Sequence, residues 1–249
     1  MCYTSLTIKQ NNDTEHANEI IEAIENKMAT NTHGYAFLND AKKECRTVDK
    51  NTFLKAYSKE WVNGFNWNIV HFRQATTGAI NKKNVHLWNR NNWRFCHNGF
   101  VFGYGNVTTA DSLDYFQRLL KEIKKNDDKD IIRAINKMHD EFTGRAFLVS
   151  PTNEIYIYGS WDVYSFGSYV VISSAPLSLN GFKRFGDLSF VKKSDEVLKT
   201  DIDADDIYKY SADGLKRIGT LKEAIPKYNY ASYHGKTYPK QIGFNPDVI

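Results

Sequence analysis

Trp67-Asn68-Ile69-Val70-His71-Phe72-Arg73-Gln74-Ala75-Thr76-Thr77-Gly78 is the stretch on which the fold turns. Up to Phe72 it alternates. Trp67, Ile69 and His71 face one way, and Asn68, Val70 and Phe72 face the other, which predicts a β-strand. Upstream, Cys2 to Lys9 alternates more loosely and reads as a first strand. Asn11 to Thr14 bring turn and capping chemistry. Ile20, Ile21, Ile24 and Met28 then recur at helical spacing, which predicts a helix over about Thr14 to Ala29. Thr32 to Gly34 break it, Tyr35 to Leu38 reads as a short strand, and Thr52 to Val62 reads as a second helix ended by Gly64.

Downstream, Trp93 to Cys96 and Phe100 to Phe102 read as strands joined by a tight His97-Asn98-Gly99 turn, since Asn-Gly is a strong hairpin signal. Asp111 opens a helix carrying Leu113, Phe116, Leu119, Leu120 and Ile123; Ile131, Ile132, Ile135 and Met138 mark another. Strands follow at Arg145 to Ser150, Glu154 to Tyr158, Tyr169 to Ser174 and Leu188 to Val191. Asp206 to Tyr210 and Leu215 to Gly219 flank Asp213-Gly214, a second hairpin signal. A helix pair between two groups of strands suggests an α+β layered sandwich with helices outside. No linker or internal repeat interrupts it, so one domain is expected over residues 1–249. From about Lys227 the chain lacks periodicity and reads as a tail that wraps the surface or meets a partner.

The chain has 249 residues, 41% of them hydrophobic and 25% charged, ordinary values for a soluble globular protein. Fifteen Tyr, fifteen Phe and five Trp suit wide, flat layers in a sheet-rich core. The net charge of +4 comes from scattered basic residues, and Lys121 to Lys125 read as a solvated helix face, which argues against a nucleic-acid partner. Cys2, Cys45 and Cys96 lie far apart and form no Cys-x-x-Cys pair, so neither zinc nor a disulfide framework is expected. Neither a signal peptide nor a membrane span is legible, which makes a reducing cytoplasmic location the default.

Four segments carry chemistry: Met1-Cys2; His71 to Gly78; His97-Asn98-Gly99; and Thr109-Ala110-Asp111-Ser112. Their order and spacing, with Asn84-Val85-His86 between them, resemble the class II glutamine amidotransferases, a family of N-terminal nucleophile hydrolases. The resemblance covers about residues 2 to 120 and continues more loosely through Gly144-Arg145-Ala146-Phe147 and Ser173-Ser174 to the Asp213-Gly214 hairpin. It implies a four-layer αββα sandwich of mainly antiparallel sheets. It also implies release of ammonia and glutamate from glutamine, no cofactor or metal, and ammonia passed to a separate synthase subunit. The sequence departs from the family pattern at Tyr3, Gln74, Thr77 and Leu87, which touch the walls and lid of the pocket.

The chemistry of each part stands on its own. A cysteine attacks as thiolate and needs a base. If Met1 is removed, the free α-amino group of Cys2, with a reference pKa of about 7.7–8.0, supplies one. A retained Met1 would leave Cys2 without it. Attack on an amide makes an oxyanion, which needs donors already in place; the resemblance assigns them to the Asn98 side chain and the Gly99 N–H. It assigns the α-carboxylate of glutamine to Arg73, which suits a bidentate contact. It assigns the α-ammonium to Asp111, with Thr76 assisting. Read alone, Asp111 is equally a helix N-cap and Arg73 a surface ion pair. His71, His86 and His97 match no zinc spacing and are expected to play structural, hydrogen-bonding roles. Two other readings remain: an N-terminal nucleophile amidase for a different amide, and a non-catalytic protein that keeps the fold.

Overall fold

The computed structural model describes residues 2–11, 16–166, 168–177, 183–185 and 205–222, with backbone alone at 165, 166 and 183–185. The first strand, β1 (Tyr3–Lys9), lies between two antiparallel neighbours. One is β4 (Trp67–Phe72), paired so that Tyr3 faces Phe72 and Ile8 faces Trp67; the other is β10 (Tyr169–Ser173). The sheet continues through β2 (Tyr35–Asn39) to β3 (Glu44–Thr47) on one side, and through β9 (Asp162–Phe166) to β11 (Lys183–Phe185) on the other. Its order is β11-β9-β10-β1-β4-β2-β3. The second sheet is built from β5 (Trp88–Arg90), β6 (Trp93–Val101), β7 (Phe142–Val149), β8 (Ile155–Tyr158), β12 (Asp206–Ser211) and β13 (Gly214–Thr220), in the order β13-β12-β8-β7-β6-β5.

Alternation along each strand divides the apolar side chains into three layers. Leu6, Ile8, Ile69 and Ile172 of the first sheet meet Cys96, Phe147, Val149 and Ile157 of the second in the central layer. The outer face of the first sheet, with Tyr3, Tyr35, Phe37 and Phe72, packs on Ile20 and Ile24 of α1 (Ala17–Glu25) and on Phe53 and Tyr57 of α2 (Lys50–Asn63). The outer face of the second sheet, with Phe95, Ala146, Leu148 and Tyr156, packs on α3 (Asp111–Glu122) and α4 (Asp128–Met138). The aromatic residues do fill the flat layers: Phe53 stacks on Tyr57 at 5.1 Å and meets Phe72 edge-on at 5.5 Å. The expected αββα order and mainly antiparallel pairing are therefore present.

Local chemistry sets the ends. Asp49 caps α2, accepting from the Thr52 N–H at 2.7 Å, so this helix starts two residues before the sequence reading. The Asp213-Gly214 hairpin joins β12 to β13 as expected. The His97-Asn98-Gly99 turn is not there. β6 runs unbroken through these residues, with Asn98 opposite Arg145 and Gly99 opposite Gly144. A type I′ turn needs positive φ at both central residues, and neither Asn98 nor Gly99 has it. Strands β3, β5, β9 and β11 are additional to the sequence reading. Thr14, Leu188 to Val191 and the tail from about 227 lie outside the described residues.

Candidate active site

Cys2 stands just before β1, at the end of the sandwich where β4 finishes and β6 passes overhead. Its Sγ lies 3.3 Å from the Gln74 N–H and 3.4 Å from the Gln74 carbonyl oxygen. Burial pushes the thiol pKa up; the Gln74 backbone contact and the Arg73 guanidinium pull the other way without prevailing. A buried thiol of this kind stays protonated near neutral pH and needs a base before it can attack.

Asn98 reaches across from β6. Its side-chain amide donates to the Cys2 carbonyl oxygen at 2.6 Å, tying the nucleophile's own backbone to the second sheet. An amide has two N–H donors, so one remains beyond this bond. Gly99 follows, and ladder geometry aims its N–H. Backbone groups of alternate residues point to opposite edges of a strand. The His97 N–H donates to His86 Nδ1 at 3.2 Å, and the Val101 N–H donates to Asp111 Oδ2 at 2.9 Å. The Gly99 N–H lies between them on that same edge and points toward the space bounded by His86 and Asp111. A Cβ on Gly99 would collide with the Thr143 carbonyl and sit 2.6 Å from His97 Nε2, so only glycine fits.

That space is a small cavity of about 20 Å³, room for roughly one water molecule. Its walls include Cys2, Arg73, Thr76, Gly99 and Asp111. Arg73 is only 2% exposed and is no surface ion pair. Its guanidinium donates to the carbonyls of Thr77 at 2.5 Å, Ala79 at 3.2 Å and Gly78 at 3.3 Å, so it props up the loop that follows it. Asp111 is not the N-cap of α3; Ala110 holds that position and Asp111 is the first helical residue. Its Oδ1 accepts from the Ser112 N–H at 2.8 Å and from the hydroxyls of Ser112 and Thr77 at 3.2 Å. Thr76 is exposed at the rim, while Thr77, not singled out in the sequence, holds Asp111.

The three histidines form the wall behind. His71 and His86 stack at 3.7 Å, His71 Nε2 contacts the His97 carbonyl at 3.2 Å, and His97 bridges Ser112 Oγ at 2.9 Å and the Thr143 carbonyl at 2.7 Å. Burial lowers all three pKa values, that of His71 to about 3, so all three are neutral at pH 7. Asn84 was visible in the sequence only as part of a motif. Here its amide donates to the Ala79 and Thr108 carbonyls and accepts from the Ala110 N–H, holding the Arg73 loop against the start of α3. Among the described residues, no group of three His, Cys, Asp or Glu side chains is placed to hold a metal ion.

No family model matches the sequence, and no curated protein matches it. Solved structures share the architecture. The allosteric regulatory enzyme of purine biosynthesis aligns with a TM-score of 0.55 at 12% identity, over 88% of this chain and 49% of that one. A glutamine aminotransferase class-II domain protein from Silicibacter pomeroyi aligns with a TM-score of 0.50 at 13% identity, over 89% of this chain and all of that one. Glutamine phosphoribosylpyrophosphate amidotransferase from B. subtilis reaches 0.49 at 13% identity, again across 49% of its length. The chain thus spans about half the length of the two purine enzymes it matches. With its two antiparallel sheets held between helix layers, the chain has the fold of the class II glutamine amidotransferase domain, the sandwich of the N-terminal nucleophile hydrolases.

Proposed function

We propose that this protein is a glutamine amidohydrolase of the amidotransferase type, with Cys2 as an N-terminal nucleophile after removal of Met1. The observation that carries the reading is the convergence on one cavity of the Cys2 thiol, the Asn98 amide and the Gly99 edge of β6. The α-amino group of Cys2 takes the thiol proton, which the raised thiol pKa makes necessary. The thiolate adds to the side-chain carbonyl of glutamine. The second Asn98 N–H and the Gly99 N–H receive the oxyanion, and ammonia leaves as the thioester forms. Water then hydrolyses the thioester to glutamate.

Arg73 and Asp111 select the amino-acid end of the substrate, with Thr76 at the rim. Glutamine is far larger than a cavity of about 20 Å³, so the loop after Arg73 moves outward as it binds. Arg73 then exchanges the carbonyls of Thr77 and Gly78 for the substrate carboxylate, which charge and a bidentate fit both favour. The released ammonia goes to a separate synthase subunit, and the reaction runs in the reducing cytoplasm, where Cys2 stays a thiol. No helix among the described residues is long and apolar enough to cross a membrane.

The test is glutamate release from glutamine by protein whose intact mass shows Met1 removed. Turnover is expected and Cys2→Ala is expected to abolish it. Mature protein without turnover, or a fully active Cys2→Ala, would reject the reading.

A further inference from the structure

The cavity of Arg73 and Asp111 lies on one flank of Cys2, under β4 and β6. The other flank, under β10 and β7, holds a cation with no part in the chemistry above. Arg145 stands on β7 directly opposite Asn98, so the two side chains point from neighbouring strands to the same face, toward the first sheet. Its Nη1 donates to the Ser174 carbonyl at 3.2 Å. Ser174 flanks the nucleophile strand, since its Oγ accepts from the Thr4 N–H at 2.8 Å and its own N–H donates to the Thr4 carbonyl at 2.9 Å. The guanidinium carbon lies 5.8 Å from the centre of the Trp161 ring, which is itself stacked on Phe147 at 4.2 Å.

Two glycines keep this flank open. A Cβ on Gly144 would strike the Asn98 carbonyl, and one on Gly159 would stand 2.7 Å from Arg145 Cα. Arg145 itself is half-buried. Its carboxylate neighbour is Asp162, at the start of β9. One printed hydrogen bond leaves most of a guanidinium's five N–H donors available.

A scissile amide held at Cys2 has two sides. Once the acyl side occupies the Arg73–Asp111 flank, the nitrogen side points along the cleft toward Ser174 and Arg145. We propose that Arg145, with Trp161 beneath it, is a second subsite that receives the amine side of the amide, and that this amine carries a carboxylate. The substrate class then extends from glutamine to γ-glutamyl amides of amino acids. The bookkeeping of the step is that of glutamine hydrolysis: the Cys2 thiolate forms the thioester bond, the C–N bond breaks, the departing amine takes the proton held by the α-amino group, and water releases glutamate. This proposal rests on Cys2 as the nucleophile.

The test compares γ-glutamylalanine with γ-glutamylalaninamide, which differ in the carboxylate alone, by glutamate release from Met1-free protein. The wild type is expected to favour the acid by about tenfold in kcat/KM. Arg145→Gln is expected to bring that ratio to about one, and Arg145→Lys to restore part of it. Equal use of the two by the wild type overturns the subsite, as does an Arg145→Gln protein that loses activity on both in equal proportion, which is what a mere tie between the sheets would give. Glutamine turnover in the same assay separates the two claims. With turnover and no preference, only the subsite falls; with no hydrolysis of any of the three, the nucleophile reading falls and takes the subsite with it.

Discussion

At the scale of single residues, the site is governed by what cannot be larger and what cannot be moved. Gly99 is the sharpest case. Its missing side chain lets β6 and β7 close to the point where the Thr143 carbonyl occupies the space of a Cβ. Gly99→Ala is therefore an overpacking change against backbone, and it is expected to cost about 1–3 kcal/mol in a urea denaturation; a loss under about 0.5 kcal/mol would refute the close approach. The sequence marked Gly99 correctly for closeness and wrongly for a turn. Asn-Gly is ambiguous because a hairpin and an oxyanion-type edge both favour a residue without Cβ, and only the partner strand distinguishes them. Asp111 was ambiguous in the same way. Its place one residue inside α3 frees its carboxylate from capping to hold the Val101 N–H and Thr77.

At the scale of elements, β4, β5 and β6 bring His71, His86 and His97 into one buried group whose ring nitrogens are turned to backbone and hydroxyl partners. The expectation of hydrogen-bonding roles matches this geometry, and it has a consequence for acid stability. The unfolded chain protonates His71 as the pH falls through about 6.5, while the folded chain holds it neutral until about 3. Stability is then complete above about 6.5 and declines steadily toward 3, because the unfolded state binds the extra proton. At pH 5 the contribution of His71 alone is a loss of about 2 kcal/mol relative to pH 7, and the lowered values of His86 and His97 act in the same direction. Equal unfolding free energies at pH 7 and pH 5 would contradict the neutral stack. Elsewhere, short strands such as β3 and β5 escaped the sequence reading because three or four residues carry too little periodicity to register.

At the scale of the whole molecule, the layer between the sheets holds the nucleophile end of β1 against the Asn98 end of β6. Ile69 is fully buried in that layer, and Val62, at 88% exposed, touches none of it. Ile69→Ala is expected to cost about 2–5 kcal/mol, and Val62→Ser less than about 0.5 kcal/mol; similar midpoints for the two variants in chemical denaturation would reject this layering. The layers themselves could be read in advance. Strand alternation and helix spacing are local properties, written in the order of side chains along the chain, so the sandwich, its four helices and most of its strands follow from the sequence. So do the identities of Cys2, Arg73, Asn98, Gly99 and Asp111 as candidates, because their spacing is a property of the chain. What the tertiary structure alone decided is what each of these touches. Arg73 turns onto its own loop, Thr77 rather than Thr76 meets Asp111, β6 runs straight through Asn98-Gly99, and Arg145 arrives on the far flank of Cys2. Each depends on which strand lies beside which, and contacts between residues 34 to 170 positions apart are set by sheet order and register, which no local pattern encodes.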